Sequence, residues 1–234
     1  MRASTLPRPA LQGQCDVCRQ WCPGALCADC IARYAAPRPR CARCGLRLGL
    51  PAPACGDCLR DPPPFDHTVC AADYGHPWDA LIADFKFHGR PELAATLAQR
   101  LVDAVRAAEV PMPTLVLPVP LSPGRLAERG YNQAWELARR VAKVLTLRAD
   151  AQLLQRPLDT AHQAELGRAG RQRNLAGAFM VDPRRRGRVE HARIALVDDV
   201  MTTGATLRLC ADVLLRAGAA SVSAWVLART PDAH

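Results

Sequence analysis

The chain of 234 residues is short of lysine, of aromatic rings and of long apolar runs. Only Lys86 and Lys143 are lysines, so arginine carries nearly all the positive charge, a bias that codon usage alone can produce. Aromatic residues make up 5% of the chain, and in the first 62 positions only Trp21 and Tyr34 carry rings, which leaves little for base stacking there. No apolar run is long enough to span a bilayer, which excludes membrane insertion by a helix. The N-terminal stretch has arginines but no apolar segment of the roughly 7–15 residues that a secretory signal needs. The expected place is therefore the reducing cytoplasm, where clustered thiols persist as metal ligands rather than disulfides.

The first 62 residues also lack any apolar periodicity and cannot build an ordinary core. What they have instead is cysteine. Eight of the eleven cysteines fall into four C-x-x-C pairs before residue 60. Cys15, Cys18, Cys27 and Cys30 give C-x2-C-x8-C-x2-C; Cys41, Cys44, Cys55 and Cys58 give C-x2-C-x10-C-x2-C. Two facing knuckles supply the tetrahedral thiolate set that zinc favours, so the spacing predicts two structural zinc ions, with interleaved pairing or redox use as the alternatives. Both sets are complete and leave no open position for water, which argues against a catalytic zinc. Gly45 and Gly56 follow knuckles where tight turns are expected, Cys22 is a spare, and Cys70 and Cys210 are read as small buried hydrophobes.

The formal net charge is +9, with nine Lys+Arg against four Asp+Glu up to residue 64. Such an excess favours polyanions, whether nucleic acid or phosphorylated small molecules, and equally describes a basic solvated surface. Arg19, Arg33, Arg43 and Arg47 either grip single-stranded nucleic acid or border a docking platform.

Three consecutive prolines in the RDPPPFD of residues 60–66 predict a linker, because proline excludes helix and central sheet. Strands and helices alternate after it. The patterns predict strands over 68–74, 114–120, 193–197 and 221–228, and helices over 76–88, 92–107, 131–147 and 206–217. The third of these helices is expected to bury Trp135, Ala138, Val141 and Leu145. The fold class expected is α/β, a mostly parallel sheet flanked by helices and preceded by a small double zinc-ribbon module, with boundaries at 1–62 and 66–234. Residues 154–175 are polar and weakly patterned, as functional or disordered loops are. The arginines at 184, 185, 186 and 188 are read as a solvated hairpin tip.

The most informative stretch is IALVDDVMTTGAT, residues 194–206. An apolar strand ends in Asp198 and Asp199, a turn of small and hydroxyl residues follows, and a helix begins. Paired carboxylates at the carboxyl end of a parallel strand can accept hydrogen bonds from vicinal ribose hydroxyls. Thr202 to Thr206 offer backbone N–H groups and hydroxyls at a helix N-terminus, where the dipole favours phosphate, and Gly204 lets the backbone come close. The bland alternative is a strand-to-helix turn with threonine caps and a solvated acid pair.

LVDDVMTTGAT resembles the phosphoribosyl pyrophosphate signature of type I phosphoribosyltransferases. Further segments resemble the ComF competence family: the four C-x-x-C pairs, FKFHGR at 85–90, PVPL with RGYNQA across 118–134, and the spaced R, T, Q, R, N and AF of 156–179. The resemblance spans nearly the whole chain. It implies that Asp198 and Asp199 hold the ribose hydroxyls with magnesium nearby, and that Thr202, Thr203, Gly204, Ala205 and Thr206 cradle the 5-phosphate. Arg125 and Arg129 would face the pyrophosphate, which planar guanidinium forks suit well. Residues 156–174 would form a hood over the substrates. Lys86, His88 and Gly89 belong to the family pattern without a role that the sequence supplies. Asn132 and Gln133 serve either as helix caps or as ligand contacts.

Two functions follow from the resemblance. One is a phosphoribosyltransferase, binding phosphoribosyl pyrophosphate with magnesium, in DNA uptake or nucleotide metabolism. The other is a non-catalytic competence factor that keeps the fold and binds single-stranded DNA or other competence proteins. An ordinary salvage enzyme has no need of eight paired cysteines.

Overall fold

A computed structural model describes residues 13–157 and 178–231. The chain divides into two compact units, Met1–Ala36 and Pro37–His234. In the first, β1 (Gly13–Gln14) pairs antiparallel with β2 (Trp21–Cys22), and α1 (Ala28–Tyr34) follows with Cys27 as its N-cap.

The second unit opens with the second group of paired cysteines and α2 (Gly56–Arg60). Five strands then form one all-parallel sheet in the order β3-β9-β8-β4-β5: β3 (Thr68–Asp73), β4 (Leu115–Pro118), β5 (Arg148–Ala149), β8 (Arg193–Met201) and β9 (Ser221–Arg229). A parallel sheet needs a crossover between successive strands, and helices supply it. These are α3 (Trp78–Phe87), α4 (Leu93–Ala107), α5 (Pro123–Arg129), α6 (Gln133–Val144) and α7 (Ala205–Arg216). A short antiparallel pair, β6 (Leu154–Gln155) with β7 (Met180–Val181), sits outside the main sheet. The α/β class and its mostly parallel sheet are as the sequence predicts.

Both faces of the sheet are covered, so its inner strands are apolar on both sides. Leu115, Leu117, Ile194, Leu196, Val222, Ala224 and Val226 pack with Leu207, Cys210, Ala211 and Leu214 of α7. The alternate residues Val116, Val197 and Trp225 are also fully buried, and α4 and α6 pack on these strands. Four expectations need correction. The 193–197 strand runs on to Met201, because β9 pairs with it as far as Met201↔Arg229. Phe65 of the proline-rich linker is fully buried in the core and Asp66 N–H donates to Val222 O, so that segment is packed rather than a free spacer. On α6 the buried stripe runs through Ala134, Leu137, Ala138 and Val141, leaving Trp135 and Leu145 half-buried. The arginine cluster is a 3-10 turn in which Arg185 and Arg188 both hold the buried carboxylate of Asp150, at 2.9 and 2.5 Å.

Gly45 (φ +70°) lies against β3, where an added Cβ would stand 2.9 Å from Thr68 Cγ2, so glycine is required by both conformation and space. Gly56 has an ordinary φ and simply begins α2.

Candidate functional site

The centre of the sheet delivers Asp198 and Asp199 near the end of β8. Successive strand residues point to opposite faces, and here that rule separates the two acids. Asp198 lines a small cup of about 50 Å³ with Val200, Met201 and the turn from Thr202 to Thr206. Asp199 is not part of that lining; it is buried, 3% exposed at the side chain, and its Oδ2 lies 2.8 Å from the ammonium of Lys86. Among the described residues no donor is aligned on Oδ2 for a hydrogen bond, so the contact is an ion pair. Asp199 Oδ1 accepts from Val200 N–H at 2.7 Å, and Asp198 Oδ1 accepts from Asp199 N–H at 2.9 Å.

The cup's rim follows from local chain chemistry. Gly204 has φ +78° and is the N-cap of α7, a conformation that side chains resist. Turning there leaves Thr202, Thr203, Ala205 and Thr206 exposed at the mouth of a twelve-residue helix. Thr203 Oγ1 accepts from Ala205 N–H at 3.4 Å. The five turn residues predicted as a phosphate cradle are thus brought together around one concavity, with Asp198 beside them.

Arg125 and Arg129 lie on α5, a helix absent from the predicted elements although its signals are present: Ser122 as N-cap, Pro123 in the first turn, and Gly130 closing it at φ +78°. Two ties bring this segment to the end of α3. The guanidinium carbon of Arg129 stands 4.8 Å from the centre of the Phe87 ring. The Tyr131 hydroxyl donates to the carbonyl of Phe85, and the two rings lie 5.8 Å apart. Lys86 sits between these two clamped phenylalanines. Asn132 is the N-cap of α6, accepting from Trp135 N–H at 3.2 Å and donating to Val119 O at 3.1 Å, while Gln133 is buried.

The charges interact. Burial pushes Lys86 down to about 8, with the fields of Arg129 and Arg125 adding and Asp198 opposing. Burial pushes Asp198 up to about 7 against the pull of Lys86 and Arg129. Lys86 and Arg129 thus act on Asp198, Lys86 contacts Asp199, and Arg125 and Arg129 add positive field at Lys86. Lys86 is the site residue to which the sequence reading gave no role. Its signal is that it is one of only two lysines in the chain. Arg156 is described and lies over the Phe179 ring at 5.4 Å, whereas 158–174 of the expected hood lie outside the described residues.

The eight paired cysteines form two groups, Cys15/Cys18/Cys27/Cys30 and Cys41/Cys44/Cys55/Cys58, each with its four sulfurs within 4.8 Å of one another. A tetrahedron of ~2.3 Å zinc–sulfur bonds has edges of about 3.8 Å. The Cys18–Cys27 and Cys44–Cys55 sulfur separations are 3.5 and 3.7 Å. Backbone N–H groups of Cys27 and Cys44 point to Cys15 and Cys41 Sγ at 3.4 and 3.5 Å. For Cys15 the N–H groups of Cys18, Cys27 and Val17 outweigh burial and bring the thiol down to about 6. Donor type, number and spacing fit zinc in both groups.

No protein-family model matches the chain. It is 38% identical over 177 residues to the DNA utilization protein YhgH of Salmonella typhi, covering 74% of this chain and 76% of that one. It is 35% identical to competence protein F of Haemophilus influenzae, over 74% and 77% of the two chains. Among solved structures, the glutamine phosphoribosylpyrophosphate amidotransferase of B. subtilis is 18% identical, with a TM-score of 0.41 over 61% of this chain and 30% of that one. Identity of this level, over three quarters of each of the two curated relatives, accords with the paired cysteines and the strand–turn–helix cup: the chain belongs to the ComF family of competence proteins.

Proposed function

We propose that the protein binds phosphoribosyl pyrophosphate with magnesium at the β8–α7 cup, holds zinc in its two cysteine groups, and serves DNA uptake or utilization in the cytoplasm. The observation that carries the reading is the cup itself. A carboxylate, a glycine turn and exposed threonines meet at a helix N-terminus, with arginines on the neighbouring segment. Thr202 to Thr206 would take the 5-phosphate, where backbone N–H groups and the helix dipole favour an anion. Asp198 would accept a ribose hydroxyl and share the hard magnesium ion with phosphate oxygens. Arg125 and Arg129 would pair the pyrophosphate oxygens and stabilise the charge that builds as it departs, and orientation plus charge stabilisation is most of what such a transfer asks of a protein. The setting in DNA uptake rests on the names of the relatives.

Calorimetric titration of the zinc-loaded protein with phosphoribosyl pyrophosphate and magnesium tests this. Saturable binding that is lost in Asp198→Asn is expected; heat no greater than dilution for the unaltered protein overturns it. A second reading, contact with single-stranded DNA by the N-terminal unit, is favoured by Trp21, which is 69% exposed on β2 and available for stacking on a base. Loss of oligonucleotide binding in Trp21→Ala would support that reading.

A further inference from the structure

We propose that Lys86 is a ligand-contacting residue of this site, its ammonium resting on Asp199 and passing to the pyrophosphate oxygens when the ligand binds. The inference deepens the reading above and rests on it.

Three observations carry it. First, the pair is lopsided: the Lys86 side chain is 18% exposed while that of Asp199 is 3% exposed, so the ammonium has an open side and the carboxylate does not. Second, the ammonium lies 2.8 Å from Oδ2 yet Oδ2 has no aligned hydrogen-bond donor among the described residues, so the pair is held by charge rather than by a directed hydrogen bond. A buried pair serving only stability is expected to be aligned and fully bonded. Third, Lys86 is held in place from both sides. Tyr131 bonds the Phe85 carbonyl and Arg129 covers the Phe87 ring, so the residues on either side of Lys86, one by its backbone and one by its ring, are fastened to the segment that carries the two arginines.

The groups facing Lys86 are Asp198 and Asp199 from β8 and Arg125 and Arg129 from α5. On α3 itself, Asp84 is engaged by His88 at 2.8 Å and by Arg90 at 3.4 Å. The two guanidiniums repel the ammonium, and an incoming pyrophosphate relieves that repulsion. Lys86, which stands at about 8 without ligand, is then raised, so binding above that pH draws in a proton.

The experiment is titration calorimetry of the full zinc-loaded chain at pH 8.5, in two buffers of different ionisation enthalpy, with inorganic pyrophosphate as probe and phosphoribosyl pyrophosphate in parallel, both with magnesium. The expected result is net proton uptake on binding, at a substantial fraction of a proton per ligand. Lys86→Arg, which stays charged at this pH, is expected to bind without that uptake. Lys86→Met/Asp199→Asn removes both charges, so folding is kept, and is expected to bind roughly 10- to 100-fold more weakly. Pyrophosphate binding with no proton uptake, or a double variant that binds as tightly as the parent, overturns the role of Lys86. Binding of pyrophosphate but not of the sugar pyrophosphate overturns the phosphoribosyl reading and leaves Lys86 as an anion contact. Binding of neither overturns both.

Discussion

Arg229, the last residue of β9, donates its Nε–H to the backbone carbonyl of Cys44 at 3.1 Å. The next residue, Thr230, donates its backbone N–H to Met201 O at 3.1 Å, and Met201 packs under Gly204 at the floor of the cup. Arg40 adds an ion pair to Asp73 of β3 at 2.7 Å, and Thr68 Oγ1 donates to Arg43 O at 2.6 Å. The second cysteine group is therefore bonded into one edge of the sheet.

Removing the metal from that group is expected to loosen the sheet with it. Binding energy at a structural zinc site is folding energy, and here the knuckle that it orders is bonded to the ends of β3 and β9. Cys44→Ser should lower the main thermal transition by at least about 5 °C, since ~1 kcal/mol corresponds to roughly 2–4 °C for a chain of this size. Cys18→Ser, in the other compact unit, should leave that transition nearly in place. Differential scanning calorimetry of both variants checks it; equal shifts would contradict the tie.

The two acids should respond differently to the same change. Asp199→Asn leaves the Lys86 ammonium partly buried without its partner and should cost about 1–3 kcal/mol in denaturant unfolding. Asp198→Asn replaces a carboxyl that burial already pushes up to about 7, so stability at pH 8 should hold or rise while ligand binding is lost. A raised carboxyl favours the folded state at low pH, and that contribution is lost as pH climbs from its ordinary 3.8 through about 7. Stability of the unaltered protein should thus fall across that window relative to Asp198→Asn.

Much of this site was legible in the sequence because its parts are local. The cysteine spacing defines two ligand sets without any tertiary information, and VDDVMTTGAT contains its own strand, turn and helix start. The division of labour inside the acid pair was not legible: it depends on β8 running past Val197, which depends on pairing with β9 more than twenty residues later. Lys86 escaped for the same reason, since its partner Asp199 lies over a hundred residues away. Helix α5 was missed although Ser122, Pro123 and Gly130 mark it, because it buries no residue and so leaves no apolar stripe. Trp135 was assigned to the core on helical spacing, yet it lines an open cleft with Tyr131 and Leu154.

Binding of magnesium and phosphoribosyl pyrophosphate should be strongest between about pH 7 and about pH 8. Below that window Asp198 is protonated and offers magnesium no charge; above it Lys86 is neutral and offers the pyrophosphate none. Affinity should therefore rise as pH climbs through 7 and fall as it climbs past 8. Lys86→Arg should abolish the alkaline limb and leave the acid limb unchanged. A flat profile from pH 6 to 9 in the unaltered protein would contradict both assignments.

Gly204→Ala tests what shapes the cup. The added Cβ would meet Met201 Cε at 2.5 Å, and the residue would have to hold φ +78°. The first problem is cheap, because a methionine tip can swing aside. The second is not, because an L-residue in the left-handed region costs roughly 1–2 kcal/mol whatever the space. Gly204→Ala should therefore lose about that much in denaturant unfolding, and Gly204→Asn, which tolerates the conformation better, should lose less. Met201→Leu introduced beside Gly204→Ala should recover little. Full recovery would mean that the methionine contact, rather than the backbone, demands glycine here. Ligand affinity should follow backbone strain in the same order, since the exposed amides and hydroxyls of Thr202 to Thr206 are aimed by the turn at Gly204.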